Sequence, residues 1–110
     1  MGEKRTDLLR GTLDLVVLKA ISLEPLHGVA ISRRIAQMTK GAFQVSFGSL
    51  FPSLHRMEEK GWVEAEWRSS ENNRRAKYYR LTSAGHAQLK AEERQWNQVV
   101  KIMATVVQTV

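Results

Sequence analysis

The sequence predicts a mainly helical α+β domain: three helices, two strands joined by a projecting loop, and one long closing helix. Three observations carry this. Apolar residues recur at helical spacing in three short runs, and two later stretches alternate residue by residue. The run from Ser83 to Val110 contains no proline and only one glycine, Gly85. The chain has 110 residues, the size of one ordinary domain. The pattern divides it into a head, residues 1–82, and a closing helix, residues 83–110.

The first helix covers "TLDLVVLKAISL", Thr12 to Leu23. Leu13, Val16, Val17, Ala20 and Ile21 form its stripe. Thr12 can cap the first turn, and Asp14 suits the positive end of the helix dipole. Pro25 in "EPLHG" stops it. A second helix fits Gly28 to Met38, with Ile31, Ile35 and Met38 on one face. Phe43 and Val45 then suit a short extended piece.

Pro52 constrains the third helix. Proline lacks an N–H and is tolerated in the first turn, where N–H groups have no intrahelical partner. With Ser49 as N-cap, Pro52 falls in that turn, and the helix runs from Leu50 to about Lys60, ended by Gly61. Leu50, Leu54 and Met57 make the buried stripe. Pro52, His55, Arg56 and Glu59 lie opposite, with Ser49 and Phe51 on the flanks.

"WVEAEW" puts Val63, Ala65 and Trp67 on one face and Glu64 and Glu66 on the other. "KYYRLT" alternates likewise, so the two are antiparallel strands. Trp62 and Trp67 suit packing in the wing and core. The connection from Arg68 to Ala76 is longer than a tight hairpin turn and implies a projecting loop with its own role. Between Arg68 and Lys77 stand four cations, Arg68, Arg74, Arg75 and Lys77, and one anion, Glu71. Asn72 and Asn73 suit a turn, because Asn tolerates the left-handed region.

Thr82 caps the closing helix. Leu89, Trp96, Met103 and Val110 recur every seven residues, and Val99, Val100, Val106 and Val107 widen the stripe. The helix would be roughly 40 Å long, against a compact diameter of roughly 26 Å for this chain length. Its distal half has little of its own domain to pack on, and a second copy of the chain is the simplest partner. Leu89, Trp96, Val99, Val100, Met103, Val106 and Val107 are the expected dimer interface.

Composition narrows the function. The formal net charge is +6 and the pI about 10.1, which suggests a polyanionic partner, nucleic acid or an anionic membrane surface. Cysteine is absent, so neither disulfides nor a cysteine-based zinc site stabilises the fold. No run reaches the roughly 18 apolar residues of a membrane span. "MGEKRTDLLRG" lacks the apolar core of a signal peptide. A soluble cytoplasmic protein is expected. His27, His55 and His86 are scattered, which suits surface or cap roles better than a metal site. Glu58 and Glu59 are adjacent and point about 100° apart, so they make no acid–base pair. No nucleophile motif or glycine-rich phosphate loop is present, so neither an enzyme nor a cofactor is expected.

The order helix, helix, helix, two strands with a long loop, helix is that of a winged helix-turn-helix. The helix after the turn enters the major groove, and the loop between the strands is the wing. The residues expected to meet DNA are Ser49, Phe51, Pro52, His55 and Arg56 on the third helix, and Asn73, Arg74, Arg75 and Lys77 on the wing. Arg56 could instead pair along its own helix with Glu58 or Glu59. Arg74 and Arg75 could be solvated charges, and Asn73 a plain turn-former. A winged helix that binds another protein and no DNA is the rival reading.

"FGSLFPSLHRMEEKGWVEAEW" followed by "SENNRRAKYYRLTSAGHAQL" resembles the PadR family of bacterial transcriptional regulators. "RGTLDLVVLKAISLEPLHGVAISRRI" is similar to the family's first two helices. The resemblance runs from about Leu8 to Lys101, and the single closing helix is like that of the small members. It implies a dimeric repressor of inverted-repeat operators, often released by phenolic or drug-like compounds. In a small multidrug-binding member an aromatic residue of the last helix lines a pore between subunits; the match here is Trp96. Trp96 could equally be a plain interface anchor. One residue departs from the family: Phe51 stands where Tyr is usual, and it cannot donate a hydrogen bond to phosphate. The partners implied are double-stranded DNA, a second copy and a possible small effector, with no membrane.

Overall fold

The computed structural model describes residues 12–110. The expectation that residues 1–11 are no signal peptide lies outside them. The order is α1 (Leu13–Ala20), β1 (Leu26–His27), α2 (Gly28–Met38), α3 (Phe47–Glu59), β2 (Val63–Ser69), β3 (Arg75–Leu81) and α4 (Ser83–Gln108). The strands form one antiparallel sheet in the order β1-β3-β2. Mainly α, with a two-stranded ribbon and a long last helix, this is the winged-helix architecture the sequence predicts. Among the described residues no helix is long and apolar enough to cross a membrane.

One core unites the head. Val17, Leu18, Ile31, Ile35, Leu50, Leu54 and Met57 are almost fully buried, so α1, α2 and α3 share it; Val63, Tyr79, Leu81 and Leu89 close it from the sheet and α4. Phe43 and Val45 join no strand but plug the same core from the α2–α3 connection. Met38, expected on the α2 stripe, lies exposed at the helix end.

Several ends differ from expectation. α1 stops at Ala20, and Leu23 is solvent-exposed. Thr12 occupies the N-cap position, but its side chain makes no cap bond. His27 takes the cap role open to it at the start of α2: its Nδ1 accepts from the Ala30 N–H at 3.3 Å. Residues 26–27, read only as a break, pair with Tyr79 and Tyr78 as a third strand.

The start of α3 is the main correction. Ser46, not Ser49, is the N-cap: its Oγ accepts from the Ser49 N–H at 3.2 Å. Pro52 therefore sits at the sixth helical position rather than in the first turn. Its missing N–H leaves the Gly48 carbonyl without an i+4 donor, but Gly48 and Pro52 both face solvent, so water can serve that carbonyl. The extra turn brings Phe47 into the helix, on the flank of Phe51. The far end behaves as read. Gly61 adopts φ +77° and the chain closes a Schellman motif, with Trp62 N–H to Met57 O at 2.9 Å and Gly61 N–H to Glu58 O at 3.0 Å.

Thr82 joins sheet to α4. Its Oγ1 accepts from Gly85 N–H at 3.0 Å and donates to Gly61 O at 2.6 Å. Gly85 allows the contact: a Cβ there would lie 2.0 Å from the Trp62 carbonyl oxygen. Beyond Glu93 every residue of α4 is exposed, and the molecule measures 58 × 33 × 20 Å.

Candidate nucleic-acid interface

Burial turns α3 so that Leu50, Ser53, Leu54 and Met57 face the core. Phe51, Pro52, His55 and Arg56 are thereby exposed, and Ser49 is half-buried. His55 sits one turn before Glu59, 3.6 Å from it.

Arg56 has a partner the sequence did not suggest. Its Nη2 donates to Asp14 Oδ1 at 2.8 Å, and the same oxygen accepts from the buried Ser53 hydroxyl at 2.8 Å. Neither Glu58 nor Glu59 takes Arg56. Asp14, in the first turn of α1, therefore ties α3 to α1. The guanidinium is fixed at one nitrogen while about half of the side chain stays exposed. Nothing local signals this pairing, because 42 residues separate the two.

The wing is a paired ribbon almost to its tip. The ladder runs from Val63–Leu81 out to Ser69–Arg75. Ser70 N–H to Arg74 O at 2.7 Å closes the end, and Asn73 N–H to Ser70 O at 2.9 Å makes the turn. Asn73 adopts φ +59°. A three-residue loop with its last residue left-handed is a standard hairpin solution, and asparagine tolerates it. The loop is thus Glu71–Asn73, shorter than the expected Arg68–Ala76 connection, and Asn73 is the turn-former.

The four wing cations have different situations. Lys77 lies 3.6 Å from Glu58 of α3, and Arg68 lies 3.6 Å from Glu66 while covering the Tyr78 ring at 4.2 Å. Arg74 and Arg75 make no ion pair among the described residues, although Arg75 lies 5.6 Å from the Trp67 ring centre. Among the described residues, two guanidiniums without an ion pair thus stand at the tip of a ribbon whose Lys77 reaches Glu58 of α3.

Trp67 corrects a further expectation. It is 58% exposed and belongs to no core, whereas Trp62 packs against the core as read. Phe47 is the exposed aromatic that sequence reasoning passed over. The available signal was the i, i+4 spacing of Phe47 and Phe51.

The stripe on α4 begins later than expected. Leu89 is buried in the chain's own core, so it is no exposed interface residue. Trp96, Val99, Val100, Met103, Val106 and Val107 are all exposed. A cavity of about 300 Å³ between α1 and α4 is lined by Leu15, Glu92, Gln95, Trp96 and Val99 among others. Glu92 Oε2 is buried there with no hydrogen-bond partner among the described residues. Burial, with a smaller push from Asp14, raises its pKa above the ordinary glutamate value.

Comparison with known proteins identifies the lineage. The sequence model of the "Transcriptional regulator PadR-like family" matches residues 17–91. An "uncharacterized protein X" of Lysinibacillus sphaericus is 33% identical, the match covering 90% of this chain and 91% of that protein. The transcriptional regulator Rv3488 of Mycobacterium tuberculosis is 31% identical over 77% of this chain and 76% of its own length. A PadR-like transcriptional regulator of Bacillus cereus superposes with a TM-score of 0.81 at 28% identity, covering 94% of this chain and 99% of the other. Regulators, not enzymes, populate this group. The chain belongs to the PadR-like family of transcriptional regulators.

Proposed function

We propose that the chain is a cytoplasmic, homodimeric repressor that binds a pseudo-palindromic operator. One observation carries the DNA reading: Arg74 and Arg75, without an ion pair among the described residues, stand at the tip of a ribbon that meets α3 through Lys77 and Glu58, so a duplex with α3 in its major groove would bring its backbone toward the tip. The net charge of +6 supports the same partner. In a dimer two copies of α3 would meet successive major grooves roughly 34 Å apart. Phosphate contact falls to Arg74 and Arg75, and Asn73 sets the turn that presents them. Base-edge contact falls to Ser49, Pro52, His55 and the free edge of Arg56. Lys77, already beside Glu58, is a weaker phosphate ligand.

The exposed stripe from Trp96 to Val107 supports the dimer, because a run of large apolar residues on a projecting helix needs a cover. The cavity beside Trp96 gives a small aromatic effector a place at that junction. Such a ligand would act by binding one spacing of the two reading heads better than the other.

The DNA reading is tested by titrating salt in a fluorescence-anisotropy assay. Wild type should lose affinity steeply as salt rises, through release of counterions from the contacted phosphates. Changing both Arg74 and Arg75 to Ala should weaken every duplex and flatten the slope by about one to two contacts per subunit. An unchanged slope removes the wing from the interface.

A further inference from the structure

The inner face of the ribbon continues past the core. Val63, Ala65 and Trp67 share this face with Leu81, Tyr79 and Lys77, their partners across the ladder. Near the sheet centre it covers the core. Farther out it overhangs α3, and a cleft of about 360 Å³ opens, lined by Phe47, Phe51, Trp67, Ala76, Lys77 and Tyr79 among others. Phe47, Phe51 and Trp67 remain 48%, 44% and 58% exposed. Three large aromatics on one small surface are costly to leave in water unless a partner covers them.

The cleft is firmly built. Phe47 and Phe51 lie one helical turn apart with ring centres at 5.7 Å. The para edge of Phe51 rests on the start of α2, where a Cβ on Gly28 would come within 2.7 Å of Cζ. The ring is anchored by that edge and still leaves 44% of the residue open to the cleft. The indole of Trp67 has Arg75 near it at 5.6 Å.

We propose that this cleft reads thymine: Phe47, Phe51 and Trp67 take the C5-methyl groups that line one wall of the major groove. The inference rests on the DNA-binding reading above. Two features point to this occupant. The cleft lies between α3 and the wing, so a duplex touching both must pass one strand across it. Its ribbon side is cationic, with Lys77 in the lining and Arg75 near Trp67 on the same face, which suits an apolar group carried by a polyanion. The thymine methyl is the one apolar group that the major groove presents. A phenyl at position 51 suits a methyl contact, because it buries no hydroxyl against it.

The test compares the full chain on two duplexes of one sequence, first selected from a randomised pool. One duplex carries thymidine and the other deoxyuridine, which lacks only the methyl. The expected result is about fourfold weaker binding of the uridine duplex for each contacted methyl, from the value of burying one such group. Phe51→Ala and Trp67→Ala should each bring the ratio toward one and keep a steep salt dependence. Phe51→Tyr, which keeps the ring, should retain part of the ratio. Equal binding of the two duplexes by wild type overturns the inference and leaves the DNA reading standing. A change of sedimenting mass in Trp67→Ala also overturns it, because the cleft is then a protein interface. Failure of the pool to yield any preferred duplex removes both.

Discussion

At the scale of single residues, Asp14 connects two helices through one oxygen. Ser53 is fully buried and its hydroxyl has that oxygen as acceptor, while Arg56 shares it. Removing the carboxylate leaves a buried hydroxyl unsatisfied. Asp14→Ala should lower unfolding stability by about 1–3 kcal/mol, read from urea denaturation, with Asp14→Asn milder because an acceptor remains. An alanine variant as stable as wild type would mean that the bonds to Asp14 hold nothing. The same pairing decides how Arg56 can serve DNA. A guanidinium has five donors, and one nitrogen is engaged, so under the proposed DNA reading the free edge would meet DNA from a fixed position. Sequence placed Arg56 on the exposed face, but its partner could not be read, since helix periodicity reports neighbours three or four residues away and Asp14 is on another helix.

At the scale of elements, the contacts at chain ends separate what the sequence reveals from what it hides. The C-terminus of α3 was legible because a left-handed glycine has one common use there. Its N-terminus was not. Both Ser46 and Ser49 are good caps, and the proline rule favoured Ser49. The folded chain prefers the earlier serine because the added turn costs only one solvent-facing carbonyl. The wing was legible as two alternating strands, but its loop came out too long, because Arg68, Ser69, Arg75 and Ala76 read as polar connection while they pair in the ladder. The two-residue β1 was too short to show any period. Gly85 is the element-scale test. Alanine in place of glycine normally favours a helix by about 1 kcal/mol. Here the new Cβ meets the Trp62 carbonyl at 2.0 Å, and that oxygen also accepts from Thr82 N–H. The clash should win, so Gly85→Ala should lower stability by about 1–3 kcal/mol in a thermal melt. A stabilised variant would show that α4 can move off the sheet freely.

At the scale of the whole molecule, the distal part of α4 is the feature with no packing inside one chain. Its 26 residues extend about 39 Å, and from Arg94 onward none is buried. The apolar run Trp96, Val99, Val100, Met103, Val106 and Val107 is the surface that a second copy would cover. A chain truncated near Gln95 should sediment as a monomer while wild type sediments as a dimer. A truncated chain that stays dimeric would place the interface elsewhere. Dimerisation would matter because it would set the distance between the two copies of α3, and only a pair of them can demand a palindrome. The heptad from Leu89 to Val110 was visible in sequence, but its register against the core was not. Leu89 belongs to the head, and the free stripe starts one heptad later. The central claim is that this pair of heads recognises a particular operator. The most direct measurement is the affinity of the full chain for the duplex upstream of its own gene, set against a random duplex of equal length at the same salt. The account predicts binding at least about a thousandfold tighter upstream. Equal affinity for the two duplexes would contradict it.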